Sequence, residues 1–247
     1  MKYFFTCLPA GRRDSGFLTI PVAIVLAGII IAFAVIYGMG RDALKPTSGT
    51  AQVVNTQTKT GIDDLRGLSS DDHVIGAKNG TIVMIEYSDT ECPFCKRFQE
   101  TMHQAVREYP NDVAWVYRHF PIPALHSRAS KEAEATECAT ELGGNDAFWN
   151  YLDLIFETTP SNNGLDPAQL PALAEQIGLK RTDFEACLAS GKYKEKVDAE
   201  AADAVAAGAN GTPFTVVIAP NNQRFTINGA EPYESVKKVI EFALKLK

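Results

Sequence analysis

Two cysteines three positions apart, Cys92-Pro93-Phe94-Cys95, are the residues of this chain best placed to do chemistry. Thiols at that spacing can close a disulfide, and a thiolate is the form that attacks another one. The preceding run, residues 81–88, is rich in β-branched side chains and reads as a buried strand. Ser88-Asp89-Thr90 breaks it, and a charged, helix-like segment opens at Cys92. A cysteine at a helix start sits among unpaired N–H groups at the positive end of the helix dipole, which favours thiolate over thiol. Pro93 falls in the first turn, where its missing N–H costs nothing. The same motif could be half of a zinc site or an inert structural disulfide. Zinc needs four ligands, and neither a second CxxC nor a Cys/His cluster at ligand spacing accompanies this one. No metal and no organic cofactor is therefore expected, since the sulfurs carry the electrons.

The elements that must position this pair follow from punctuation and periodicity. A helix is predicted from about 92 to 109, ended by Pro110-Asn111-Asp112, then a strand over 113–120 closed by Pro121 and Pro123. Residues 71–80 read as a lead-in with turn signals at Gly76 and Asn79-Gly80. From Ser127 to about Asn210 the pattern is almost wholly helical, in segments separated by Gly, Pro or Asn. After Gly211-Thr212-Pro213 come strands over 214–219 and 224–228 and a last helix from about 232 to 246. Strand, CxxC, helix, strand and a closing hairpin with a helix make an α/β thioredoxin fold. The helical insertion, about 124–200, exceeds the single helix that such a fold needs there.

Ahead of this body lie other segments. Residues 17–39 form an apolar run of 23 without a charge, long enough to span a bilayer and longer than the core of most cleavable signals. A retained signal anchor is expected, although Ala32-Phe33-Ala34 offers a small-residue cleavage pattern. Arg12 and Arg13 favour a cytoplasmic tail over 1–16, against weaker opposition from Arg41 and Lys45. The remainder would then lie outside the cytoplasm. Residues 40–70, polar and without apolar periodicity, read as a flexible linker to a body over 71–247. That linker is too short to hide a dimerisation domain, and a monomer is expected. The net charge is −6; residues 1–16 carry +2 of it through Lys2, Arg12, Arg13 and Asp14, which leaves −8 on the rest. Such acidity excludes a nucleic-acid binder.

EYSDTECPFCKRF, RHFPI, LHSRASKEAEATECATELGGNDAFWNYLDLIFE and GTPFTVVI together resemble the DsbA-like thiol:disulfide oxidoreductases, in a branch that includes membrane-anchored members. The resemblance implies that Cys92 is the nucleophile, exposed at the helix start, and Cys95 the shielded resolving thiol. It places a cis-proline loop at Thr212-Pro213 beside the CxxC, and a buried acid at Glu86 that relays protons for the inner cysteine. Phe94 is a departure. Strongly oxidising members have histidine there, so a less depressed Cys92 pKa and a less oxidising couple are expected, with Glu91 pushing the same way. The activity implied is oxidation of cysteine pairs in unfolded or secreted proteins, recharged by a DsbB- or VKOR-like membrane partner.

Cys138 and Cys187 each share an apolar helix face within the insertion, Cys138 with Ala135, Ala139 and Leu142, Cys187 with Phe184 and Leu188. In an oxidising compartment they are expected to bridge two helices; two buried free thiols are the alternative. Cys7, on the cytoplasmic side, would stay reduced or be lipidated. His119 and His126 flank RHFPI and are assigned a surface or packing role; Trp115, Phe148, Trp149 and Phe156 are assigned to the core. Three other functions fit the same residues: an isomerase or reductase, a peptide-binding chaperone-like module, and an assembly factor for one membrane client. Thr212 does not separate the first from an oxidase.

Overall fold

The computed structural model describes residues 61–246. The apolar run 17–39, Cys7 and the linker up to residue 60 lie outside the described residues. Among those described, no helix is long and apolar enough to cross a membrane.

The β-branched run forms β2 (Ile82–Ser88), the centre of a five-stranded sheet ordered β1-β3-β2-β4-β5. It pairs in parallel with β3 (Val113–His119), Ile82 opposite Val113 and Ser88 opposite His119. On its other side β4 (Phe214–Ile218) runs antiparallel, with Glu86 opposite Thr215, and β5 (Arg224–Asn228) completes the hairpin. The segment 71–80, expected as a lead-in, holds a short edge strand, β1 (His73–Gly76), antiparallel to β3. Gly76 ends it with φ 90°, and a Cβ there would stand 2.4 Å from the Val113 carbonyl oxygen. Only glycine meets both conditions.

Alternation divides β2 and β3 between two cores. Ile82, Met84, Val113, Trp115 and Tyr117 face α1 (Pro93–Glu108) and the last helix. Ile85, Tyr87 and Val116 face the opposite way, toward Ala204 and Ala207. The insertion is α2 (Ala129–Thr158), α3 (Leu170–Gln176), α4 (Arg181–Ser190) and α5 (Lys194–Ala206), with its own apolar cluster; α6 (Tyr233–Ala243) closes the chain. The two segments expected on either side of Gly143-Gly144 run on as one kinked helix, Gly144 taking φ 75° and ψ −166° where the direction changes. Trp115, Phe148, Trp149 and Phe156 lie in the core beneath α1.

Residues 61–70 differ from the expected tether. Leu65 is buried, the Arg66 amide donates to Asp203 Oδ1 at 2.8 Å, and Gly61 N donates to the Ala206 carbonyl. Arg118, wholly buried on β3, grips the same segment. Its guanidinium forks onto Asp72 at 2.8 and 2.9 Å, reaches Asp203 at 2.9 Å, and donates to the carbonyls of Arg66 and Gly67. A buried charge left without such partners would cost several kcal/mol. Residues 61–70 are therefore packed as part of the body.

Candidate active site

Cys92 is the N-cap residue of α1, with extended backbone (φ −77°, ψ 121°), and Pro93 is the first helical residue. The Cys92 carbonyl accepts from Lys96 N at 3.0 Å, so the helix is wound from this residue onward. Cys95, one turn in, is wholly buried; both are free thiols. Cys92 was expected exposed at the helix start, yet it is only 4% exposed. The loop before β4 lies against it, with the Thr212 carbonyl oxygen 3.5 Å from its Sγ. The Thr212–Pro213 peptide is cis, and Pro213 is buried.

The two sulfurs have opposite acidities for stated reasons. A hydrogen bond from Cys95 is the strongest influence on Cys92 and, against the cost of burial, brings its thiol down to about 6. Thr212 and the backbone N–H groups of Cys95 and Phe94 assist. Burial pushes the Cys95 thiol well up, and donating to Cys92 pushes it further. Phe94 is half exposed, with Arg97 over its ring at 5.3 Å from the centre.

Glu91 does not act as the simple repulsive neighbour expected of it. It is wholly buried, and its carboxylate accepts from Thr159 Oγ1 at 3.3 Å and Gly164 N at 3.1 Å. Glu132 accepts from Thr90 Oγ1 at 2.6 Å, and burial and the neighbouring Glu91 push its carboxyl up to about 9. Asp89 organises the same turn, taking Glu91 N and Ile122 N at 2.9 and 2.8 Å and the His126 ring at 2.9 Å. Its own N–H lies 3.5 Å from Cys95 Sγ. His126 is therefore buried support for the turn rather than a surface residue.

Glu86 lies on the α1 face of β2, wholly buried, with no hydrogen-bond partner for either carboxylate oxygen among the described residues. Burial pushes its carboxyl up to about 7; Ser88 and Trp115 are near enough to pull it back only in part. A carboxyl titrating near neutrality beside a buried thiol can take and return a proton.

The insertion contributes a covalent bond and a buried ionic cluster. Cys138 and Cys187 are joined as a disulfide, Cα atoms 5.9 Å apart, linking α2 to α4. His73 and His119 both bond one Glu137 oxygen, at 2.7 and 3.0 Å, and Glu200 Oε2 accepts from His119 N. His119, Glu137 and Glu200 present ligand atoms close enough for a metal ion, but Lys196 Nζ, 2.8 Å from Glu137, already supplies the cation. Although burial works against it, the two histidines hold the Glu137 carboxyl well below its usual range. This cluster, like Arg118 and Asp89, gives no short-range signal: its members come from β1, β3, α2 and α5.

The comparisons with known proteins fall on this same body. Residues 68–241 match the Thioredoxin_4 family, described as thioredoxin. Among solved structures, DsbA2 of Pseudomonas aeruginosa is 26% identical with a TM-score of 0.63, covering 73% of this chain and 98% of that one. Alpha-DsbA1 of Wolbachia pipientis, 21% identical, has a TM-score of 0.64 over 76% of this chain and 100% of its own. Among curated proteins, the Na(+)/H(+) antiporter NhaA 1 of Mycolicibacterium vanbaalenii is 30% identical over 196 residues. That alignment takes in 78% of this chain but only 30% of the antiporter's length.

Proposed function

The chain belongs to the Thioredoxin_4 family and is a DsbA-like thiol–disulfide oxidoreductase; from that premise we propose that it oxidises cysteine pairs in proteins outside the cytoplasm. The observation that carries this reading is the placement of the two sulfurs, Cys92 at the N-cap of α1 against the Thr212-Pro213 loop and Cys95 wholly buried one turn in. An acidic Cys92 makes a stable thiolate, which favours the reduced form of the couple and hence the donation of its disulfide to others. A substrate thiolate attacks Cys92 Sγ and expels Cys95 as thiolate, which takes up a proton. A second substrate thiolate then attacks the mixed disulfide, leaving the substrate oxidised and Cys92 reduced. Each passage moves two electrons from substrate to the CxxC, and a DsbB- or VKOR-like membrane protein would return them to an acceptor.

The apolar run 17–39 supports a membrane tether with this body on the extracytoplasmic side. The Cys138–Cys187 bridge agrees, because disulfides persist in oxidising compartments. DsbA-like proteins act on cysteine-containing substrates in general, and no particular client follows from this geometry. Antiport is not carried over from the relatives named above, because the matched stretch is a minor part of them. The oxidised chain, mixed with a reduced unfolded protein, should transfer one disulfide per molecule. The Cys95→Ala variant, mixed with a protein that already holds an accessible disulfide, should accumulate a mixed disulfide through Cys92, because no second active-site thiol remains to displace the client. A Cys92→Ser chain that still promoted recovery of the unfolded protein would instead mark a peptide-binding module.

A further inference from the structure

Cys95 is expelled as a thiolate when its disulfide is donated, yet its surroundings oppose that charge. Burial works hardest against it, followed by the bond to Cys92 and the charges of Cys92 and Glu86. The Ser88 hydroxyl is near enough to help but makes no hydrogen bond among the described residues. Among those residues, the one donor in hydrogen-bonding geometry toward Cys95 Sγ is the backbone N–H of Asp89, at 3.5 Å. In the reduced pair that N–H donates to a thiol which itself donates to Cys92.

An amide donor is only as good as its aim, and Asp89 is held on every side. Its carbonyl accepts from Cys92 N at 3.1 Å, and one of its carboxyl oxygens accepts from Glu91 N at 2.9 Å. Those bonds are local to the turn. The other carboxyl oxygen reaches the segment after β3, where it takes Ile122 N at 2.8 Å and His126 Nδ1 at 2.9 Å. The same segment fixes the preceding residue, because Phe120 N donates to the Ser88 carbonyl at 2.7 Å. His126 is anchored in turn: its N–H donates to the Ile122 carbonyl at 2.8 Å, and its carbonyl accepts from Ala129 N at the start of α2. Asp89 and His126 are both buried. Apolar residues of similar size often stabilise a fold as well as a buried pair of this kind, so stability alone does not account for it.

We propose that Asp89 binds the inner thiolate through its backbone N–H and that His126 is the positioning residue which, through the Asp89 side chain, aims that N–H at Cys95 Sγ. The inference rests on the thiol–disulfide reading above. When a substrate thiolate bonds to Cys92 Sγ, the Cys92–Cys95 bond breaks and its electron pair goes to Cys95 Sγ. The Asp89 N–H already lies on that sulfur and supports the charge until a proton arrives. The Cys95 step of recharging is the converse: the same N–H holds the Cys95 thiolate as it attacks the mixed disulfide on Cys92. Donors placed in advance where charge appears lower a barrier without reorganisation. Asp89 touches a reacting atom; His126 acts only through it.

The oxidised full-length chain, mixed with excess reduced glutathione at neutral pH, reports the expulsion of Cys95 through the fluorescence of Trp115 and Trp149 in the adjoining core. His126→Leu removes the ring donor, whereas His126→Asn restores an N–H at the place of Nδ1. The second-order rate constant should fall about tenfold in the first variant, the size of one hydrogen bond to a charged group, and less than about twofold in the second. A control changes the leaving group. In a Cys95→Ala chain carrying glutathione on Cys92, added glutathione expels Cys92 instead, and mass spectrometry of the chain should show one rate with and without His126→Leu. The proposal is overturned by an unchanged rate constant in His126→Leu, by equal slowing in the Cys95→Ala background, or by a His126→Asn chain as slow as His126→Leu. Should His126→Leu fail to fold, Asp89→Asn gives the same reading, since its amide cannot accept from both Ile122 and His126. An unaltered oxidised chain that glutathione does not open would instead overturn the thiol–disulfide reading beneath it.

Discussion

The two cysteine pairs of this protein have the same atoms and opposite surroundings. Cys92 and Cys95 flank the first turn of one helix, where backbone N–H groups, a thiol donor and Thr212 converge on the outer sulfur. Cys138 and Cys187 come from the interiors of two helices, 49 residues apart in sequence, among Ala135, Ala139, Leu173 and Phe184. A thiolate is stabilised at the outer sulfur of the first pair, whereas the second pair is closed as a disulfide. The first is built to exchange and the second to stay closed. What separates them is the position of each sulfur in its helix and the polarity around it.

Breaking each pair should therefore produce unlike losses. Cys92→Ser should abolish disulfide transfer, assayed on a reduced unfolded protein, while leaving the urea midpoint nearly unchanged. Replacing Cys138 and Cys187 together by alanine should do the reverse. Transfer per folded molecule should persist, and stability should fall by roughly 4 kcal/mol for a loop of this length, often less in practice. Equal loss of transfer in the second variant would mean that the insertion's disulfide takes part in turnover.

Glu86→Gln should sharpen the contrast in two directions. The Cys95 step should slow by about 100-fold, and the limb of its pH profile near 7 should vanish. Stability should shift the other way. Burial holds the folded carboxyl up at about 7, above its ordinary value of 4.5. The native state therefore binds the extra proton between those values, and stability is lost as pH rises through 7. The charge-free variant should escape that loss, a gain on the order of 3 kcal/mol at pH 8 and little at pH 4. Urea titrations at the two pH values check it.

The smallest effect concerns Thr212. Thr212→Val removes the hydroxyl that helps to lower the Cys92 thiol and should raise its pKa by less than about one unit, ~1.4 kcal/mol, read from the pH dependence of alkylation. A larger rise would put the loop before β4, rather than the helix start and Cys95, in control of the thiolate.

The sequence made the frame of the site legible because its signals are local. A β-branched run, a turn, and CxxC opening a helix identify β2 and α1 within a residue or two of their ends. Thr-Pro before a closing hairpin marks the opposing loop. What stayed hidden depends on distant partners. The HVIG strand is too short to show alternation, and it takes its identity from pairing with β3. Arg66 looked like tether because Asp203, which holds its backbone, is 137 residues away. Glu91 looked like a charge beside a thiolate, but folding sets it against Glu132, Thr159 and Gly164. Gly143-Gly144 looked like a stop, and the chain uses Gly144's positive φ to turn a helix that continues.

The central claim is that Cys92–Cys95 donates its disulfide, and the reduction potential of that couple in the full chain tests it most directly. Equilibration in glutathione buffers, with Cys138–Cys187 left oxidised, should give a value well above that of thioredoxin, near −120 to −180 mV. A value near −270 mV would contradict the claim and make the protein a reductase supplied with electrons from elsewhere.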